Sequence, residues 1–232
     1  MRYPSPLVEA VFDRRVNRYR AVCYVDGRPA EVHVPNSGRM GELLVRGAKA
    51  LLNPGTNPDR KTAYDLCMVR HARRWVGVDS RLPPKLLAEG VREGTLPEWT
   101  SAEVLRMEPR FGAGRLDLAL RHEDALWLVE TKSVNLVVDR TAYFPDAPTV
   151  RGARHLTEMA QAARRGEGRF ALWFVVQRAD AGTVSPSRER DPAFAQALWD
   201  AQAAGVRIGA CRCEVTRRGL RIVDAIPVRL GR

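Results

Sequence analysis

Ala125-Leu126-Trp127-Leu128-Val129 runs straight into Glu130-Thr131-Lys132, an apolar segment that turns charged at its C-terminal end. A helix-period segment follows from Val150 to Arg165, with Ala153, Leu156, Ala160 and Ala163 on one face. Phe170 to Gln177 is then continuously apolar and of strand length, the pattern of a strand covered on both faces. Strand, helix, strand in that order is a βαβ unit, so 125–133 and 170–177 are expected to be parallel neighbours. Ligands of such sheets sit beyond the carboxyl ends of the strands. Glu130 and Lys132 are therefore expected at that edge. Asp191-Pro192 reads as a helix cap followed by proline at the first helical position, and Gly205 as the stop. Val206 to Val215 and Leu220 to Val228 read as the last strands. The expected result is an α/β domain with a mixed sheet flanked by helices.

The first third is organised differently. Leu7–Val11, Ala21–Val25, Ala30–Val34, Lys49–Leu52, Ala63–Arg70 and Arg74–Val78 read as short strands, with Asp26-Gly27 as a hairpin turn. Strands this short and this closely spaced predict a small barrel or sandwich. Residues 79–101, punctuated by Pro83-Pro84, Gly90, Gly94 and Pro97, have room for only a short helix and read as the passage between two domains. The division predicted is 1–84 and 85–232.

Charge narrows the class of partner. The net charge is +11, and only four of the 38 basic residues are lysine. Such a surplus favours a polyanion, most simply nucleic acid, although a merely solvated basic surface would look the same. No apolar run approaches the ~20 residues of a membrane span, and Met1 to Pro6 lacks the apolar stretch of a signal peptide. No membrane partner and a cytoplasmic location are expected. Cys23, Cys67, Cys211 and Cys213 lack the C-x-x-C spacing of a zinc site and read as packed thiols.

The chemistry concentrates around two neighbouring segments. Arg115 to Leu120 and Ala125 to Lys132 flank the polar run Arg121-His122-Glu123-Asp124, as in a hairpin. With Leu120 opposite Ala125, Asp117 faces Leu128 and shares a face with Glu130 and Lys132. Asp117 and Glu130 are then diagonal neighbours, their Cβ atoms roughly 7–8 Å apart. Two carboxylates at that spacing suit one divalent cation, Mg²⁺ or Mn²⁺, and a nearby ammonium can orient water or offset charge on a phosphate. A one-residue slip would send Asp117 to the other face. The same three side chains would also suit a structural ion network.

Asp117, a gap of twelve residues, then Glu130-Thr131-Lys132 resembles the PD-(D/E)xK nuclease signature, with Leu116 where that signature usually has proline. A second resemblance covers nearly the whole chain. Pro35-Asn36-Ser37-Gly38-Arg39-Met40, Arg115-Leu116-Asp117, Glu130-Thr131-Lys132-Ser133-Val134, Tyr143-Phe144-Pro145-Asp146-Ala147, Arg151-Gly152-x-x-His155-Leu156 and the run from Ser185-Pro186 through Asp191 and Phe194 to Gly205-Val206 occur in this order. That set is similar to the sugar fermentation stimulation protein A family. The resemblance implies an N-terminal OB-like β-barrel, a C-terminal PD-(D/E)xK nuclease-like mixed sheet flanked by helices, and DNA binding. It also implies a third acidic ligand at Glu108, whose neighbour Pro109 equally suits a plain edge position.

Further candidates surround this core. Arg151 and His155 share a helix face, so Arg151 could clamp a phosphate and His155 assist, or either could be satisfied locally. Asp146 suits the active-site periphery or a structural turn, and Tyr143 and Phe144 suit base stacking or core closure. Asn36, Ser37 and Arg39 follow a barrel strand; with Gly38 they suit close approach to a phosphate, or simply a tight turn. Arg14, Arg15, Arg18 and Arg20, with Arg70, His71, Arg73 and Arg74, form the expected nucleic-acid-binding surface of the barrel, and Arg164-Arg165 and Arg188-x-Arg190 could extend it. The expected function is DNA binding with metal-dependent phosphodiester hydrolysis, with Asp117, Glu130 and Lys132 catalytic, Glu108, Asp117 and Glu130 holding the metal, and RNA as another polymer that fits. The alternative is a non-catalytic DNA-binding regulator of sugar-metabolism genes on the same fold.

Overall fold

The computed structural model describes residues 1–55 and 59–231. Its first half winds β1 (Val8–Asn17), β2 (Arg20–Val25), β3 (Arg28–His33), β4 (Lys49–Pro54), β5 (Tyr64–His71) and β6 (Arg74–Gly77) into one sheet of order β3-β2-β1-β4-β5-β6. A parallel pairing of Val32 with Tyr64 joins β3 to β5 and closes five strands into a barrel, leaving β6 outside the ring. β1 is twice the expected length. Register shifts after Phe12 and Arg15 bend it, so that it pairs β4 with its first half and β2 with its second. Phe12, Ala21, Val32, Leu52, Leu66 and Val69 fill the interior.

The second half is a six-stranded mixed sheet of order β17-β16-β14-β11-β10-β7, built from β7 (Glu103–Met107), β10 (Leu118–His122), β11 (Ala125–Val134), β14 (Arg169–Val176), β16 (Arg207–Thr216) and β17 (Gly219–Ala225). β11, β14 and β16 run parallel, as the βαβ pattern requires. Side chains of β14 alternate between two cores. Ala171, Trp173 and Val175 point to one, and Phe170, Leu172, Phe174 and Val176 to the other. Helices α2 (Val150–Arg164) and α3 (Pro192–Ala203) cover the phenylalanine face, with Leu156, Met159, Phe194 and Leu198 buried there. Asp191 caps α3 by accepting from the Phe194 N–H at 2.9 Å. Between Arg110–Phe111 (β8) and Gly114–Arg115 (β9) lies a small hairpin, and a separate three-stranded sheet, β12 (Leu136–Val138), β13 (Thr141–Phe144) and β15 (Thr183–Pro186), stands beside α2 and α3.

One sequence expectation needs correction, and another gains detail. Residues 79–101 hold the expected short helix, and that helix is part of the core. Pro83-Pro84 start a helix, α1 (Pro83–Arg92), where missing N–H groups leave nothing unpaired. Leu86, Leu87, Val91, Leu96 and Trp99 then pack in one continuous core with Trp127 and Trp173 of the sheet and with Leu51 and Met68 of the barrel. The two halves are thus fused through shared apolar surface. The expected strand Arg115–Leu120 is broken: the chain leaves the ladder at Leu116 and Asp117, and β10 begins only at Leu118.

Candidate functional site

The hairpin register differs from the expected one by two residues. Glu123 and Asp124, at φ 51° and 58°, form a two-residue turn, which sets His122 rather than Leu120 opposite Ala125. A shift of two keeps every side chain on its face. Asp117 sits just before the first ladder pair, Leu118 with Val129, and its N–H donates to the Val129 carbonyl at 3.0 Å. Its Oδ2 accepts from both the backbone N–H and the hydroxyl of Thr131, each at 2.6 Å. Because β10 begins only at Leu118, Asp117 lies outside the ladder and its carboxylate is held across β11 by Thr131.

Glu130 lies on the same strand end, nearly buried. Lys132 Nζ donates to its Oε1 at 2.6 Å, and His155 Nδ1 meets the same oxygen at 2.9 Å from the first turns of α2. Burial raises the Glu130 carboxyl, but the Lys132 charge and the His155 and Lys132 hydrogen bonds outweigh it and hold the group below its ordinary value. Asp117 moves the other way. Burial and the neighbouring Glu130 charge lift its carboxyl above the usual range, against the two Thr131 bonds and Lys132. Adjacent acids with opposed shifts form a site whose second negative charge is not fully compensated by protein.

These residues form the floor of a cleft of about 410 Å³ between the two halves. Asn36, Ser37, Gly38 and Arg18 of the barrel line one wall, and Tyr143 to Thr149 with Arg151 line the other. Among the described residues the Arg151 and Arg18 side chains make no hydrogen bond or ion pair. Thr149 caps α2, accepting from the Gly152 N–H at 3.1 Å, so that helix presents its N-terminal end to the cleft.

Other sequence candidates lie elsewhere or act on the protein itself. Glu108 is exposed and pairs with Arg115 at 3.1 Å; it is not among the residues lining the cleft. Arg15 donates to the carbonyls of Asn36, Gly38 and Arg39 at 2.6–2.9 Å and to those of Asn17 and Arg18, so its guanidinium shapes the barrel wall from within. Asn36 is likewise internal, donating to the Val78 carbonyl at 2.9 Å and accepting from the Gly38 N–H. Arg14 pairs with Asp13, Arg74 lies 3.7 Å from Asp180, and Arg73 occupies the turn between β5 and β6. Arg39 is exposed beside the cleft wall. Asp146 lines the cleft and also bridges it, accepting from the Met40 N–H and from Arg190, each at 2.5 Å. Ser80, Pro84 and Asn135 also line the cleft, and no sequence pattern marked them as site residues.

The donor set fits a hard cation. Among the described residues no three His, Cys, Asp or Glu side chains form a ready cage. Asp117 Oδ1 and Glu130 Oε2 carry no hydrogen bond from described residues, and they offer the two-carboxylate arrangement by which Mg²⁺ is held with water and substrate phosphate. Among the described residues no helix is long and apolar enough to cross a membrane.

Comparison with known proteins agrees with this architecture. The "SfsA N-terminal OB domain" model matches residues 14–78, and the "Sugar fermentation stimulation protein RE domain" model matches residues 81–219. A sugar fermentation stimulation protein homolog of Natranaerobius thermophilus is 44% identical over 227 residues, covering 96% of this chain and 94% of the relative. One from Alkaliphilus metalliredigens is 42% identical over 223 residues, covering 95% and 96%. A solved structure, Pyrococcus furiosus SfsA in complex with Ca²⁺, superposes with a TM-score of 0.91 at 30% identity, covering 99% of this chain and 98% of that one. With both halves matched and the relatives aligned nearly end to end, this chain belongs to the sugar fermentation stimulation protein family.

Proposed function

We propose that the cleft binds DNA and hydrolyses a phosphodiester bond with a divalent cation held by Asp117 and Glu130. The observation that carries this reading is the pair of buried carboxylates, one of them raised by burial and by the other's charge, beside a lysine on the floor of a cleft flanked by unpaired arginines. Two acids buried near a phosphate path would repel the substrate unless a cation joined them. The solved structure of the Pyrococcus furiosus relative is in complex with Ca²⁺, an ion of the same oxygen preference. When bound, such an ion polarises a phosphate oxygen and lowers the pKa of water. Lys132 would position the attacking water and offset the charge that develops on the phosphoryl oxygens. Arg151 and the N-terminal end of α2 hold the phosphate. His155 keeps Glu130 oriented by fixing one of its oxygens, leaving the other toward the cleft.

A second reading, DNA binding without turnover, draws on one observation. Glu130 Oε1 is already met by both Lys132 and His155, so that carboxylate is compensated without a cation. Labelled single- and double-stranded DNA and RNA, incubated with Mn²⁺, Mg²⁺ or EDTA, separate the two. Metal-dependent cutting by the native protein, lost in Asp117→Ala and Lys132→Ala, is the expected result and identifies the polymer. Salt-sensitive binding with no cutting, unchanged in both variants, overturns the hydrolytic reading.

A further inference from the structure

The cleft has a continuation. Beyond Tyr143 a second groove of about 470 Å³ opens, floored by Leu136 and Val138 of β12 and flanked by Ser185, Arg188 and Arg190. Tyr143 lines both the cleft and this groove. Arg190 borders the groove while its guanidinium grips Asp146 on the cleft wall, so the two spaces adjoin along one ridge. Val138 is half-exposed, an apolar surface left open beside two arginines. Glu189 is the groove's acidic member.

The walls of the cleft limit what can enter. Asp146 accepts the Met40 N–H across it, and a Cβ at Gly38 would stand only 3.5 Å from the same Asp146 oxygen. The barrel wall and the second-half wall therefore touch. Arg15 holds the barrel wall in place through three carbonyls of that loop, and the Thr149 N–H, bonded to Asp191 at 2.7 Å, holds the other. A space of this size, closed by a direct contact between rigid walls, suits one nucleotide unit and not a base-paired duplex. Aromatic faces and apolar platforms between cations are how proteins hold unpaired strands, because every base has a stacking face.

We propose that the groove lined by Val138, Tyr143, Arg188 and Arg190 is a flanking subsite for a single nucleic-acid strand, receiving the nucleotide next to the one held over Asp117 and Glu130. Tyr143 stacks on a base where the strand passes from cleft to groove. Val138 and Leu136 take the neighbouring base; Arg188, whose Nη2 meets the Leu230 and Gly231 carbonyls, and Arg190, paired with Asp146, face its phosphates with their remaining N–H groups. This rests on the proposed nucleic-acid function but not on hydrolysis.

Binding in EDTA by fluorescence anisotropy tests it without turnover, using labelled single strands of about a dozen nucleotides and blunt duplexes of the same sequence at one salt concentration. The single strand is expected to bind at least about tenfold more tightly than the blunt duplex. Tyr143→Ala is expected to weaken single-strand binding about tenfold, with Tyr143→Phe recovering most of the loss. Val138→Glu, at an already exposed position, is expected to weaken it several-fold by placing a negative charge under the phosphates, with the melting temperature of each variant checking that it folds. Equal or tighter duplex binding overturns the single-strand assignment. Loss on Tyr143→Ala with Val138→Glu unchanged ends the strand at the cleft and overturns the groove. Absence of binding to either polymer, both in EDTA and with Ca²⁺ added to offset the two carboxylates, overturns the nucleic-acid function itself, whereas tight single-strand binding with no metal-dependent cutting overturns only the hydrolysis.

Discussion

Asp146 accepts the backbone N–H of Met40, 106 residues earlier in the chain, at 2.5 Å. That one bond ties the barrel loop to the segment leading into α2 and closes the cleft on one side. Met40 is fully buried with φ at 51°, a backbone conformation held only because its surroundings determine it.

Asp146→Ala leaves the Met40 N–H and Arg190 without their acceptor. A buried donor left unsatisfied costs about 1–3 kcal/mol, and denaturant unfolding should show a loss in that range. Asp146→Asn, which keeps an acceptor oxygen, should lose less. Should the two variants be equally stable, Met40 does not depend on this oxygen.

Asp117 and Glu130 make opposite contributions to stability as pH changes. Asp117, raised in the fold, binds its proton before the unfolded chain does, so its buried charge costs stability above the folded pKa and stability recovers as pH falls through it. Glu130, lowered in the fold, contributes stability above its unfolded pKa and loses that contribution as pH falls through the folded value. Asp117→Asn should therefore melt higher than the native protein at neutral pH in EDTA, with the gain shrinking in acid. A lower melting temperature at neutral pH would contradict the direction assigned to Asp117.

A cation bound only by the native state at about 100 times its dissociation constant adds about 2.7 kcal/mol, or roughly 5–10 °C for a chain of this size. Mn²⁺ or Mg²⁺ should raise the melting temperature of the native protein by that order. Asp117→Asn and Glu130→Gln should abolish the shift. Glu108→Gln should leave it intact, because that carboxylate pairs with Arg115 at the surface.

Arg15 and Arg151 should separate in a salt titration of DNA binding. Arg151→Ala removes a phosphate contact and should lower the slope of log K against log salt by about 1. Arg15 spends its donors on carbonyls. Arg15→Ala should lower the melting temperature and leave the slope unchanged. A reduced slope for Arg15→Ala would return that side chain to the nucleic-acid interface.

Gly209 faces Trp173 across the parallel pair β14–β16. A Cβ there would stand 2.3–2.6 Å from three carbons of the buried indole. A rigid ring cannot yield as a flexible side chain would, so Gly209→Ala should cost about 1–3 kcal/mol through overpacking. Calorimetry or denaturant unfolding would measure it, and a neutral substitution would mean that the indole moves freely.

Much of this architecture can be read from local pattern. The continuous apolar run at 170–176 demands cover on both faces, and the helix-period stretch from Val150 supplies one cover. The N-cap and first-turn proline at Asp191 and Pro192 mark the start of α3, and Gly205 marks its stop to within two residues. Period-two alternation places Leu128, Glu130 and Lys132 on one face whatever strand lies beside them. Those features depend on residues near one another in the chain, whose geometry the backbone period dictates.

The remaining features needed long-range contact to decide them. Pro and Gly punctuation showed that 79–101 has room for only a short helix, but not that Leu86, Leu87 and Trp99 would bury their apolar surface against both halves. The hairpin register turned on whether Glu123 and Asp124 adopt positive φ, an energy difference too small for residue type to settle. Arginine is equally suited to phosphate and to carbonyl oxygen, so Arg15 could be assigned to the wall only once Asn36, Gly38 and Arg39 were seen to converge on it. Local periodicity thus determined which side chains face the sheet edge. Only the folded chain, by bringing the barrel against the end of β11, made that edge a cleft.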